Sequence, residues 1–190
     1  GLRLRQLGID VQLEDTSPAA LALARDLGAG RIATEGCEEP ELVVVATPPD
    51  VAADVVRESL DRFERALVTD IASVKARVIE EVESHPGADR YVGSHPMAGR
   101  ERSGALAADA DLFIGRPWVI TPVGESGSSA KRFDGAASDP ARVEDAGDVV
   151  QAIQRFALSV GALPVVMSPE MHDRSAAIVS HMPQLVSSLV

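Results

Sequence analysis

A histidine wedged between a short strand and a proline is the first place in this sequence where proton chemistry suggests itself. In Gly93-Ser94-His95-Pro96-Met97-Ala98-Gly99, proline and flanking glycines hold the imidazole on a loop with little freedom. Imidazole is the usual general base near neutral pH, so His95 is a candidate base; an idle surface-loop histidine is the plain alternative. Ser73, in Asp70-Ile71-Ala72-Ser73-Val74-Lys75, falls at an expected helix start. There a hydroxyl either caps the helix or hydrogen-bonds a ligand, and capping is the simpler reading. Asp15 follows an expected strand. A carboxylate in that place can accept hydrogen bonds from ribose hydroxyls and repels a 2′-phosphate, or it merely starts a turn. The next residue, Thr16, is not arginine, which favours NAD over NADP. Thr47-Pro48-Pro49 makes a stiff turn with no proline amide to donate, for which a structural role suffices. His172 and His181 stand nine residues apart, about two and a half helical turns. They therefore face different sides and lack the i, i+4 spacing of a two-histidine metal site. No metal is expected.

The elements that must position these groups alternate. Leu2 to Leu7 reads as a helix end stopped by Gly8. Ile9 to Leu13 reads as a strand. Ser17-Pro18 starts a helix that ends at Gly28, with Ser17 as N-cap and Pro18 in the first turn. Leu42 to Ala46 is a continuous apolar run, the pattern of a parallel strand covered on both faces. A helix over Val51 to Leu60, a strand over Ala66 to Asp70 and a helix from about Ser73 to Glu83 follow. Short strands are expected at Tyr91 to Ser94 and Trp118 to Pro122. A helix over Asp145 to Val160, a strand over Pro164 to Met167 and a helix capped by Ser168 and running toward Val190 complete the chain. This alternation predicts an α/β, Rossmann-like doubly wound parallel sheet. Residues 123–144, rich in Gly, Ser, Ala and Asp, break the rhythm and read as a mobile insertion.

Composition narrows the partners. The 190 residues carry a net charge of −11, which disfavours nucleic acid and anionic membrane surfaces. A small anionic substrate stays compatible where local arginine, histidine or helix N-termini outweigh the global field. Aromatic residues are 3% of the chain, so the core must come from Val, Leu, Ile and Ala. The single cysteine, Cys37, rules out an intrachain disulfide and fits a reducing cytoplasm. No apolar run approaches the roughly 18 residues of a membrane span, and the opening residues lack signal-peptide features.

Taken in order, Ala46-Thr47-Pro48-Pro49, Thr69-Asp70-Ile71-Ala72-Ser73-Val74-Lys75, Gly93 to Gly99, Glu170-Met171-His172-Asp173 and Ser180-His181-Met182-Pro183 resemble the prephenate dehydrogenase family, which includes arogenate dehydrogenases. The resemblance implies NAD as cofactor, and His95 as the catalytic histidine that hydrogen-bonds the substrate's ring hydroxyl. It implies Ser73 at the same hydroxyl and beside the nicotinamide, and Asp15 at the ribose. Thr47, Pro48, Pro49 and Asp70 would then lie at the cofactor, and His172, His181 and Gln184 at the substrate. Gln184 stands where some prephenate-specific members carry a second histidine, so prephenate and arogenate both stay open. By the same resemblance, residues 1–167 form an NAD-binding Rossmann-like domain lacking its first strand and glycine-rich loop. Residues 168–190 begin a C-terminal helical domain that dimerises. A fragment of this extent is expected to be inactive alone.

Two rival readings remain. A β-hydroxyacid dehydrogenase would share the Rossmann unit but use a lysine on the interdomain helix, and no lysine follows Lys131. A non-catalytic nucleotide-binding sensor would have dispensed with the base, whereas His95 is present.

Overall fold

The computed structural model describes residues 1–34, 36–98, 108–123 and 146–178. Its elements are α1 (Leu2–Gln6), β1 (Gln12–Leu13), α2 (Pro18–Asp26), β2 (Arg31–Ile32), β3 (Leu42–Val45), α3 (Ala52–Arg62) and β4 (Leu67–Asp70). Then come α4 (Ala76–Val82), β5 (Tyr91–Pro96), β6 (Pro117–Thr121), α5 (Ala146–Ser159), β7 (Leu163–Val166) and α6 (Pro169–Ala176). Local chemistry explains several boundaries. Gly8 has φ +78°, a backbone region that favours glycine, and α1 ends just before it. Ser17 Oγ accepts from the Ala20 amide at 3.3 Å, and Ser168 Oγ from the Met171 amide at 3.2 Å. Each serine precedes a proline that fits the first helical turn.

Strands β3 to β7 form one sheet in sequence order, while β1 and β2 form a separate parallel pair. Helices cover both faces of the larger sheet. On one face Val56 and Leu60 of α3 and Val78, Ile79 and Val82 of α4 pack with Val45, Val68 and Tyr91. On the other, Val149, Ile153, Ala157 and Val160 pack with Val92, Trp118 and Ile120, and Leu4 joins from α1. Adjacent strand residues thus feed opposite cores, as the pleat requires. At about 1.5–3 kcal/mol per buried large aliphatic side chain, these two layers are the main cohesive term.

Four expectations need correction. The strand expected over Ile9 to Leu13 is only Gln12–Leu13. The run from Leu42 is not covered throughout: only Val45 is fully buried, because β3 is an edge of its sheet. The sheet is not wholly parallel, since β6 runs antiparallel to β5 and β7 follows β6. The helix expected from Ser73 begins at Ala76. The proposed insertion, apart from Val123, lies outside the described residues, as do Gly99, His181 and Gln184. Among the described residues, no helix is long and apolar enough to cross a membrane.

Candidate active site at the carboxyl edge of β3, β4 and β5

Strands β3, β4 and β5 are mutually parallel, so their carboxyl ends share one edge. At that edge β5 overhangs its neighbour. Gly93 pairs with Asp70, the last residue of β4. Ser94, His95 and Pro96 continue beyond it and pair only with Ile120, Val119 and Trp118 of β6. His95 therefore sits on a strand, not on the loop expected from its proline. The antiparallel partner supplies the rigidity. Two side-chain bonds weld β5 to β4: Thr69 Oγ1 donates to the Val92 carbonyl at 2.7 Å, and, on the overhang, Ser94 Oγ to the Asp70 carbonyl at 2.9 Å. Gly93 is needed here for space. A Cβ at this position would lie 2.7 Å from Thr121 Oγ1, closer than atoms of that kind can pack.

Behind His95 lies α6. His95 Nδ1 and His172 Nε2 are 2.9 Å apart, and the rings meet edge to face at 76° with centroids 5.1 Å apart. His172 is 1% exposed. Its other nitrogen, Nδ1, contacts Asp173 Oδ1 at 2.7 Å. Asp173 also accepts from the Lys75 amide at 2.8 Å and the Ala76 amide at 2.9 Å, two of the donors that the start of α4 leaves without helical partners. Burial works to raise the Asp173 carboxyl. The bonds from the Ala76 amide, His172 and the Lys75 amide outweigh it and hold the group below the ordinary aspartate value.

This arrangement changes the reading of Ser73. The cap of α4 comes from Asp173, 97 residues further along the chain than Ala76. Ser73 lies before the helix, half-buried, with no hydrogen bond to any described residue, so its hydroxyl is available to a ligand. His172 is changed too. It was expected at the substrate, but burial and two internal contacts occupy its ring. His181 and Gln184, the other expected substrate contacts, lie outside the described residues.

Asp70 was expected at the cofactor, and its carboxylate instead turns inward. Asp70 and Lys75 side chains both have no exposed surface. Asp70 Oδ1 accepts from Lys75 Nζ and from the Ala72 amide at 2.9 Å, while Oδ2 accepts from Tyr91 Oη at 2.7 Å. Burial pushes the Lys75 ammonium below its usual pKa against the pull of Asp70. Burial and the Asp70 charge push the Tyr91 phenol well above its own. The cluster shapes the turn from β4 to α4 that carries Ser73. Nothing in the motif Asp70-Ile71-Ala72-Ser73-Val74-Lys75 marks Lys75 as buried; the clue is its i+5 spacing from an acid at a strand end, which only the turn makes meaningful.

Two further polar groups could hold a nucleotide. Thr47 follows β3, and its Oγ1 is buried without a hydrogen-bond partner among the described residues, an unsatisfied group that a ligand would complete. Pro48 and Pro49 beside it are exposed. Asp15 is exposed just past β1. Its Oδ1 accepts from the Ser17 amide at 2.7 Å, and Oδ2 makes no hydrogen bond to a described residue.

Residues 1–138 match the family model described as prephenate dehydrogenase, nucleotide-binding domain. The chain is 38% identical over 192 residues to NovF of Streptomyces niveus, named as a probable prephenate dehydrogenase, with 100% of this chain and 47% of that protein covered. It is 28% identical to the prephenate dehydrogenase of Bacillus subtilis, covering 97% of this chain and 45% of that one. The chain thus spans about half the length of the curated relatives it matches. Among solved structures, prephenate dehydrogenase from A. aeolicus in complex with hydroxyphenyl propionate and NAD+ superposes with a TM-score of 0.78. The two are 27% identical, with 99% of this chain and 62% of that chain covered.

Proposed function

The chain belongs to the prephenate dehydrogenase family, and on that premise we propose that it forms the cofactor-and-catalysis part of an NAD-dependent enzyme that oxidatively decarboxylates prephenate to 4-hydroxyphenylpyruvate, a step of tyrosine biosynthesis. One observation carries the reading: His95 stands on the β5 overhang at the sheet edge where nucleotides bind in such folds, braced from behind by His172.

The residues present fit the cofactor. Asp15 has a carboxylate oxygen to spare for the ribose, and the buried Thr47 Oγ1 needs a partner. When bound, NAD accepts two electrons and one hydrogen from the hydroxyl-bearing ring carbon. His95 takes the hydroxyl proton as that carbon is oxidised. Ser73 hydrogen-bonds the same oxygen and keeps it in line with His95. The ring carboxylate leaves as CO2, its bonding electrons complete the aromatic ring, and the oxygen regains a proton to end as a phenol. Aromatisation supplies most of the driving force, so the protein's task is to position and polarise. His181 and Gln184 complete the substrate pocket in this reading. A homodimer built through a C-terminal helical domain, and a cytoplasmic location, follow from the same family reading.

The experiment is a steady-state assay of the full-length protein with prephenate and with arogenate, each with NAD and with NADP. Turnover of prephenate with NAD is expected. A clear preference for arogenate would move the substrate assignment within the family. Failure of both substrates with both cofactors would overturn the reading.

A further inference from the structure

The protons along His95, His172 and Asp173 are ordered by elimination. Asp173 is held as a carboxylate by two backbone amides that can only donate, from Lys75 and Ala76. A carboxylate only accepts, so His172 Nδ1, 2.7 Å from Oδ1, must carry a proton. In neutral His172 the other nitrogen, Nε2, is then bare and must accept. His95 Nδ1, 2.9 Å away, is therefore the protonated nitrogen of His95. The lone pair of neutral His95 is left on Nε2, across the ring from α6.

We propose that His172 and Asp173 form a positioning unit that sets the tautomer of His95 so that Nε2 is the proton acceptor, and that steadies the imidazolium once the proton is taken. This rests on the reading of His95 as the base and deepens it. His172 touches neither substrate nor cofactor; it acts through His95, as a buried hydrogen-bond partner fixes the tautomer of a working histidine. Among the described residues, the ionisable groups gathered at this junction are His95 on β5, Asp173 on α6, and Lys75 with Asp70 from the turn between β4 and α4. Since Asp70 and Lys75 satisfy each other, Asp173 is the anion that His172 answers to. A doubly protonated His172 would have to donate to His95 and would move the lone pair to the wrong nitrogen.

The test uses the full-length enzyme and two substitutions. His172→Leu removes both contacts. His172→Gln retains an amide oxygen that can accept from His95 Nδ1. His172→Leu is expected to lower kcat by roughly 10–100-fold, by analogy with loss of the hydrogen-bond partner behind a metal-ligating histidine, with KM for prephenate changed much less. His172→Gln is expected to recover most of that loss. Nitrogen-15 NMR of histidine-labelled wild-type protein should show His95 with a protonated Nδ1 and a bare Nε2, and His172→Leu should lose that pattern. The NMR result does not depend on the substrate, so it separates failure of this inference from failure of the functional reading. A wild-type spectrum with the His95 proton on Nε2 overturns the proposal, even if no variant folds. So does a His172→Leu enzyme with the wild-type melting temperature and unchanged kcat.

Discussion

Replacing Asp70 with asparagine preserves shape and removes one charge from a site that water does not reach. Lys75, with no exposed surface, would then hold an ammonium against a neutral amide. Breaking a buried ion pair by removing one partner costs about 3–5 kcal/mol. Tyr91→Phe, which deletes only the 2.7 Å bond to Oδ2, should cost about 1.5–3 kcal/mol, the range for a hydrogen bond to a charged group. Pairing Asp70→Asn with Lys75→Met removes both charges together and should be less harmful than Asp70→Asn alone. Burial already pulls the Lys75 pKa down from 10.5, so in Asp70→Asn the lysine can escape part of the penalty by shedding its proton. In the alkaline range below 10.5 the unfolded chain then binds more protons than the folded one. Stability of Asp70→Asn should therefore rise as pH rises through that range. The assay is urea denaturation of the full-length protein followed by far-ultraviolet circular dichroism, comparing midpoints at an unchanged m-value. An Asp70→Asn cost under about 1 kcal/mol, or a double variant weaker than the single one, would refute the account of this cluster built on unpaired buried charge.

Three further outcomes follow from the same geometry. His95→Asn should lower kcat by on the order of 100- to 10,000-fold while KM shifts less; near-normal turnover with an unchanged pH profile would place the base elsewhere, with His181 next in line. Asp15→Asn should raise the use of NADP relative to NAD, read as the ratio of the two kcat/KM values, because it removes the charge that repels a 2′-phosphate; an unchanged ratio would detach Asp15 from the ribose. Asp173→Ala should weaken the cap of α4 by about 0.5–2 kcal/mol. The folded Asp173 carboxyl lies below the ordinary aspartate value, so its contribution is present above that ordinary value and is lost as pH falls through the lower, folded one. The variant's acid limb of unfolding should accordingly be shallower than the wild type's.

Much of this architecture was legible because it is written locally. The apolar run Leu42 to Val45, the short strand Leu67 to Asp70 and the Ser-Pro starts of α2 and α6 need only neighbouring residues to be recognised. Strand direction is not written that way: a residue on β6 has the same period of two whichever way the strand runs, so the reversal against β5 was invisible. His95 looked like a loop residue because Pro96 discourages strand pairing, yet β5 tolerates the proline at its last position beyond the end of β4. Local sequence leaves Ser73 between cap and ligand contact, because the true cap arrives from Asp173 and a contact across 97 residues leaves no local mark. The sequence offers His172 as a substrate contact, whereas its burial behind His95 depends on α6 packing across the sheet edge, which only the fold supplies.

The start of α4 also has an electrostatic consequence. Helix N-termini attract anions because their free amides and dipole present partial positive charge, and such a terminus is ordinarily a ready-made seat for a carboxylate ligand. Here Asp173 already fills that seat from within, and Lys75, the nearby cation, is neutralised by Asp70. Among the described residues, neither the start of α4 nor Lys75 therefore offers uncompensated positive charge beside His95. In a protein of net charge −11, the attraction that orients an anionic substrate has to be supplied by cations outside this pair of occupied positions. Its strength, and with it the salt dependence of KM, should be governed by those residues and not by α4.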